Sequence, residues 1–284
     1  MKSFASLVLA WLVIAGGPRW QSSATGLPDP DSFMKKVRDA ARLDYEIQQE
    51  FTYRERRRDI RVSLLGKVTV GPVRTFEVYP SAIPGKTYKR LIAVDGVPLD
   101  AAELAKRDRE REKSLREEDE RRRHESASDR AERLEKAKKE WEEREAVLDD
   151  ALAVFKITFT GREVIDGERV LIGKATPRPD AHVTTREGKW LKHFAGDVWI
   201  AETDHQIVRL DMRALDDVSI GWGIVGRVHK GSRFVFARRK TDGAWLPSEV
   251  KFQATGRTLL FRKFEIDTTT TFSDYRRVDP SPDR

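Results

Sequence analysis

The chain has 284 residues, no cysteine, 36% charged and 39% hydrophobic residues, and a formal net charge of +7. That excludes a disulfide scaffold, a cysteine-ligated metal or iron–sulfur protein and a thiol enzyme, and the low apolar share excludes a polytopic membrane protein. The length allows one or two domains, and the basic excess raises the question of an anionic partner.

Lys2, an apolar run over residues 4–15 and small residues up to Ala24 read as a signal peptide of residues 1–24, with Ser22 and Ala24 in a small-x-small cleavage pattern. The run, about twelve apolar residues, is too short to span about 30 Å of hydrocarbon. The expectation is an exported, periplasmic chain that is not an integral membrane protein once processed. No cysteine follows the run, so no lipid anchor is expected.

Residues 25–100 open on a proline-rich stretch. Phe33, Val37, Ala40, Ala41, Asp44 and Tyr45 then fall at helical spacing, with Asp31 or Ser32 as the N-cap, which predicts a short amphipathic helix lying on a sheet. From Ile47 the period changes to two. Phe51 and Tyr53, Val62 and Leu64, Val68 and Val70, Phe76 and Val78, and Ile92 and Val94 alternate with polar residues, as half-buried strands do. Pro72, Pro80 and Pro84-Gly85 punctuate them.

Residues 101–153 are a charged insertion. Of the 43 residues over 103–145, 16 are acidic and 15 basic, so the block nets −1 and the basic excess is spread thinly over the rest of the chain. Glycine and proline are absent from 101–156, and acids precede bases by four residues in pairs such as Glu103/Arg107, Glu118/Arg122, Asp129/Arg133 and Glu135/Lys139, a helix-supporting arrangement. Ala127, Ala131, Leu134, Trp141, Leu148, Leu152 and Phe155 form a heptad-like seam. Two geometries fit: one helix about 75 Å long, at 1.5 Å per residue, or a hairpin broken near Ser126 and Ser128.

Residues 154–278 return to alternation, with a tail at 279–284. Asp-Gly pairs at 95–96, 166–167 and 242–243 sit between β-like runs and predict tight antiparallel hairpins, with a fourth at 202–205. Val208, Leu210 and Met212 are expected on one face of their strand. Later strands are expected over 233–239, 245–254, 258–265 and 268–275. The fold class is therefore α+β: a large curved antiparallel sheet of about ten strands forming an open half-barrel, with an N-terminal helix and a long charged helical insertion.

The five histidines lack metal-ligand spacing, and no Gly-x-Ser-x-Gly, phosphate-binding loop or dinucleotide fingerprint is present, so no metal, cofactor or catalytic residue is expected and the chain reads as a non-enzyme. Export, scattered charge and the lack of a nucleic-acid-binding motif argue against a nucleic-acid partner. Ile220, Trp222 and Ile224, in a glycine-rich run, read either as a buried strand or as an apolar lip. Trp190, Trp199 and Trp245 face the same choice between core and cavity mouth.

Four segments resemble the outer-membrane lipoprotein-sorting (LolA-like) periplasmic superfamily: Leu91-Ile92-Ala93-Val94-Asp95-Gly96-Val97-Pro98-Leu99, the Asp166-Gly167 hairpin over 161–170, Gly196-Asp197-Val198-Trp199-Ile200-Ala201, and Gly243-Ala244-Trp245-Leu246-Pro247. The resemblance covers about 31–101 and 154–278. It implies an incompletely closed sheet around a hydrophobic cavity that holds acyl chains of a lipid or lipoprotein. The implied lining is Phe76, Val78, Ile92, Val198, Ile200, Val208, Leu210, Phe234, Phe236 and Phe252. The chain lacks the N-terminal cysteine of the lipid-anchored receptor branch, and its insertion is absent from the simple carrier pattern. The alternative is an envelope scaffold that engages a protein partner through residues 101–153.

Overall fold

The computed structural model describes residues 26–63, 67–79, 87–220, 226–258 and 263–278. The expected signal peptide, the punctuating Pro80 and Pro84-Gly85, Leu64, Trp222, Ile224 and the tail at 279–284 lie outside the described residues.

Helix α1 (Pro30–Gln48) begins earlier than the sequence reading placed it. Asp29 is the N-cap, accepting the Ser32 N–H at 2.9 Å, and Pro30 takes the first helical position, where a missing N–H leaves no bond unmade. The chain then forms β1 (Phe51–Val62), β2 (Val68–Tyr79), β3 (Tyr88–Val94) and β4 (Val97–Pro98). After helices α2 (Ala101–Arg123) and α3 (Ala127–Val154) come β5 (Phe155–Ile165), β6 (Glu168–Pro177), the short α4 (Arg186–Leu191), β7 (Phe194–Ala201) and β8 (Ile207–Ala214). The strands β9 (Val218–Ile220), β10 (Gly226–Val228), β11 (Arg233–Thr241), β12 (Ala244–Arg257) and β13 (Lys263–Arg277) complete it.

These strands make one 13-stranded antiparallel sheet in the order β4-β3-β2-β1-β13-β12-β11-β8-β7-β6-β5, with β9 and β10 off that path. Strands β4 and β5 are the free edges, so the sheet is open, as the sequence predicts. At each Asp-Gly turn both residues have positive φ (50° and 81° at Asp95-Gly96, 50° and 82° at Asp166-Gly167, 49° and 80° at Asp242-Gly243), the geometry that matches strand twist in a two-residue hairpin. The last part of the chain differs from expectation. Arg257 pairs with Lys263, and 263–265 belong to β13, so two long strands stand where three shorter ones were read.

The insertion is a hairpin of helices 23 and 28 residues long. Alpha-helical hydrogen bonding stops at His124, and Ser126 restarts it by accepting the Asp129 N–H at 3.1 Å. Arg133 does not pair with Asp129; it forks back onto Glu125 at 2.8 and 2.9 Å and ties the turn to α3. The expected pairs Glu103/Arg107, Glu118/Arg122 and Glu135/Lys139 are in ion-pair contact. No residue of α2 is buried. This helix is held by β3: the Arg90 guanidinium donates twice to Asp108 at 2.7 Å, and Arg111 lies over the rings of Tyr79 and Tyr88. Because β3 is next to one free edge and α3 runs into the strand at the other, the hairpin carries the chain across the opening of the sheet.

The main core lies between α1 and the far half of the sheet. Phe33 and Val37 of α1 pack on Ile157, Phe159, Leu171, Val198 and Ile200. A polar tether fixes the other end of α1. Arg238 on β11 donates to the Asp44 carboxylate at 2.8 Å and to Gln206 at 3.0 Å, while Gln206 donates to the Ala40 carbonyl at 3.0 Å. Both members of the ion pair are largely shielded from water, so removing one leaves a buried charge without its counter-ion. Arg238→Ala should lower the unfolding free energy by about 3 kcal/mol in urea titration. Asp44→Ala in the same background should add far less than it costs alone; additive losses would show that the pair is not a unit.

Candidate functional site

The core does not fill the space under the helices. A cavity of about 760 Å³ remains between α1, the C-terminal part of α3, α4 and the concave face of the sheet. The roof comes from Pro30, Asp31, Met34, Lys35 and Arg38 of α1, Leu148, Ala151 and Leu152 of α3, and Leu191 of α4. The α1 residues recur every three or four positions, which puts them on one stripe of the helix. The floor and walls come from Phe155, Ile157, Ala175, Phe194, Val198, Ile207, Leu210, Met212, Phe234 and Phe252, with Arg178 just beyond β6.

The roof is fastened by charge and by one buried carboxylate. Arg38 donates to Asp149 at 2.6 Å and Arg42 pairs with Glu145, joining α1 to α3. Arg178 donates to the Ala153 carbonyl at 3.1 Å, at the end of α3 where backbone carbonyls lack helical partners. Asp150 is buried and binds the strand-to-α4 connection: Thr184 N–H at 3.0 Å, Thr185 N–H at 2.7 Å and the Thr185 hydroxyl at 2.6 Å. Thr185 in turn caps α4 by accepting the Gly188 N–H at 2.9 Å. Burial alone would raise the Asp150 carboxyl, but the hydrogen bonds from Thr185 and Thr184 outweigh it and hold it below the usual carboxylate range.

Of the residues expected to line a cavity, Val198, Leu210, Phe234 and Phe252 do so. Ile200 is fully buried in the core beneath α1. Phe236 follows Phe234 on the same face of β11, half-buried, with the Arg238 guanidinium 5.2 Å from its ring centre. Phe76 and Val78 are buried on β2 and Ile92 is half-buried on β3, in the other half of the sheet beyond β13 and β1.

Val208 departs from the expected alternation. Register shifts between Trp199 and Ile200, so that Trp199 faces Arg209 while Ile200 faces Ile207, and Val208 is the extra residue of a β-bulge. It packs with Val170, Ala201 and Trp245 instead of with Leu210 and Met212. Trp245 is core, its indole N–H donating to Asp204 at 3.0 Å, and Trp199 packs against the cluster to which Trp245 belongs. Trp190 lies on α4 under Arg186. Ile220 ends β9. Missed by the sequence reading were α4 and the cavity face of α1, although the 34, 35, 38 spacing was there to find.

Among the described residues, no group of three or more His, Asp or Glu could hold a metal ion, and no helix is long and apolar enough to cross a membrane. An open antiparallel sheet with helices over an apolar concavity is what the sequence resemblance implies. The observed sheet and cavity agree with that expectation. No family model and no curated protein matches the chain. Two solved structures are similar to it over 90% of its length and 96% of theirs: a DUF1329 family protein from Desulfovibrio piger, 12% identical with a TM-score of 0.30, and a LolA superfamily protein from Nitrosomonas europaea, 8% identical with a TM-score of 0.28.

Because the folded-state carboxyl of Asp150 titrates below its unfolded value of about 3.9, the stability it contributes is present above about pH 4 and is lost as pH falls through the folded-state value. Asp150→Ala should therefore cost about 2 kcal/mol at pH 7. The difference from the parent should shrink in urea unfolding at pH 3; an equal difference at both pH values would mean that the hydrogen bonds to the charged form are not what matters.

Proposed function

We propose that this is an exported, periplasmic, non-enzymatic protein that holds an acyl chain of a lipid or of a lipidated protein in the cavity beneath α1 and α3. The observation that carries the reading is the cavity itself. Its volume of about 760 Å³ falls within the range of small-molecule sites, about 300–1,000 Å³, and its walls are aliphatic and aromatic side chains. Well-packed interiors leave few voids larger than a water molecule, so an apolar space of this size is unexplained by core packing alone. Burial of an acyl chain there removes apolar surface from water at about 25 cal/mol per Å². Service in outer-membrane lipoprotein sorting is the specific form of this reading that the sequence resemblance favours.

Protein purified from its native envelope, extracted and examined by mass spectrometry, should carry acyl lipid. Ala151→Phe places a ring in the cavity from α3 and should abolish acyl-chain uptake without lowering the unfolding midpoint. Lipid-free protein that takes up no acyl chain when offered one would sink the proposal.

A second reading rests on the helical hairpin. Leu134 and Trp141 on α3 are 54% and 52% exposed on an otherwise charged surface, an unusual place for a tryptophan. In that reading the hairpin docks an envelope protein, and Leu134→Ser with Trp141→Ser should abolish pull-down of that protein while leaving lipid content unchanged. Unchanged pull-downs would count against it.

A further inference from the structure

We infer that the tip of the sheet where β10, β12 and β13 meet is a docking surface for an anionic phospholipid bilayer, engaged by Arg227, Arg257 and Lys263. This goes beyond the acyl-chain reading and rests on separate observations.

Three cations stand in a row at that tip. Arg227 on β10 is directly opposite Arg257 on β12, and Arg257 is directly opposite Lys263 on β13. Opposite residues of an antiparallel pair share a face, so the three side chains leave the same face of the sheet, and all three are exposed. Like charges so placed destabilise a sheet. Where arginines face each other elsewhere in this sheet, a carboxylate joins them: Arg57 and Arg74 both pair with Asp59, and Arg213 and Arg233 are both drawn to Asp211. At the tip, Arg257 and Lys263 make no ion pair among the described residues. Arg227 lies in the field of Asp217, but that carboxylate is already held by His229 and by the Lys230 N–H, each at 3.0 Å. Glu265, the next residue along that face of β13, stands opposite Thr255 and forms no ion pair among the described residues.

The row crosses three strands, about 10 Å at 4.7–4.9 Å per strand, and so suits a surface of repeated negative charge better than one small anion. The sequence beside the row favours a bilayer over an acidic protein. After Ile220 the chain reads Gly-Trp-Gly-Ile-Val, and after Thr258 it reads Leu-Leu-Phe-Arg. Tryptophan and aliphatic residues next to cations are the composition of a membrane interface. These two stretches lie outside the described residues, and the contact is assigned to the three cations alone. Arg257 is five residues past the cavity-lining Phe252 on the same strand, about 17 Å of strand, so a bilayer docked here lies close to the cavity wall.

The test is co-sedimentation of the full mature chain at low salt with vesicles of dioleoyl phosphatidylglycerol, against vesicles of dioleoyl phosphatidylcholine. Each cation at an anionic lipid surface contributes about fivefold in affinity, so the anionic vesicles should bind at least about tenfold more tightly. Arg257→Glu should weaken that binding at least about fivefold and, by turning the row into alternating charge, should raise the urea unfolding midpoint. Arg257→Glu with Lys263→Glu should weaken it about 25-fold. Arg116→Glu with Arg123→Glu, the same change in net charge made at exposed positions of α2, should leave it unchanged. Equal binding to the two kinds of vesicle, equal losses from the two double variants, or a lower midpoint for Arg257→Glu would overturn the assignment. Capture on immobilised poly-L-glutamate without vesicle binding would overturn the bilayer in favour of an acidic protein. None of these failures touches the cavity reading, which is tested separately by the acyl lipid carried in the purified protein.

Discussion

The position of α1 depends on the shielded pair between Asp44 and Arg238. One partner is on the helix, the other on β11, and Gln206 links Arg238 to the backbone at Ala40. An open antiparallel sheet with one apolar face must bury that face under something, and α1 is the first element the chain offers. Phe33 and Val37 alone would hold the helix by non-directional contact. The ion pair sets its position along the sheet, because a bidentate carboxylate contact tolerates little sliding.

With α1 held there, α3 shares the roof of the cavity with it. It meets α1 through Arg38–Asp149 and Arg42–Glu145, and it meets α4 through Asp150. These links are polar, and Arg38 also lines the cavity while Asp150 is buried. The apolar side chains below them, from Met34 and Leu152 to Phe234 and Phe252, face one another across space instead of interlocking. The same residue types that make a core elsewhere in the sheet therefore make a cavity here, and what separates the two outcomes is the spacing imposed by the tethers.

The three Asp-Gly hairpins, the alternation of the strands, the N-terminal helix and the insertion were all legible in the sequence, because each depends on local backbone preference or on period. The site was legible in part. Val198, Leu210, Phe234 and Phe252 could be chosen by strand parity, but parity fails at a bulge, and one extra residue sends Val208 to the Trp245 cluster. Parity also cannot separate Phe76 and Val78, on the same face of the sheet but in its other half, from the residues under α1. The helix α4 is six residues long, too short to show a period.

The amino-acid sequence by itself determined the element types, the antiparallel hairpins, the self-neutralising charge of the insertion and the choice of apolar residues for one face of the sheet. These follow from steric limits on φ, from hydrophobic periodicity and from near-neighbour electrostatics, all of which act over a few residues. Only the tertiary structure decided that the insertion folds back on itself at Ser126 and that its second helix roofs the sheet. It also decided that the apolar face is divided into a filled core and a cavity. Those outcomes depend on contacts between residues far apart in the chain, such as Asp44 with Arg238 and Arg38 with Asp149, and pattern within a segment carries no record of them.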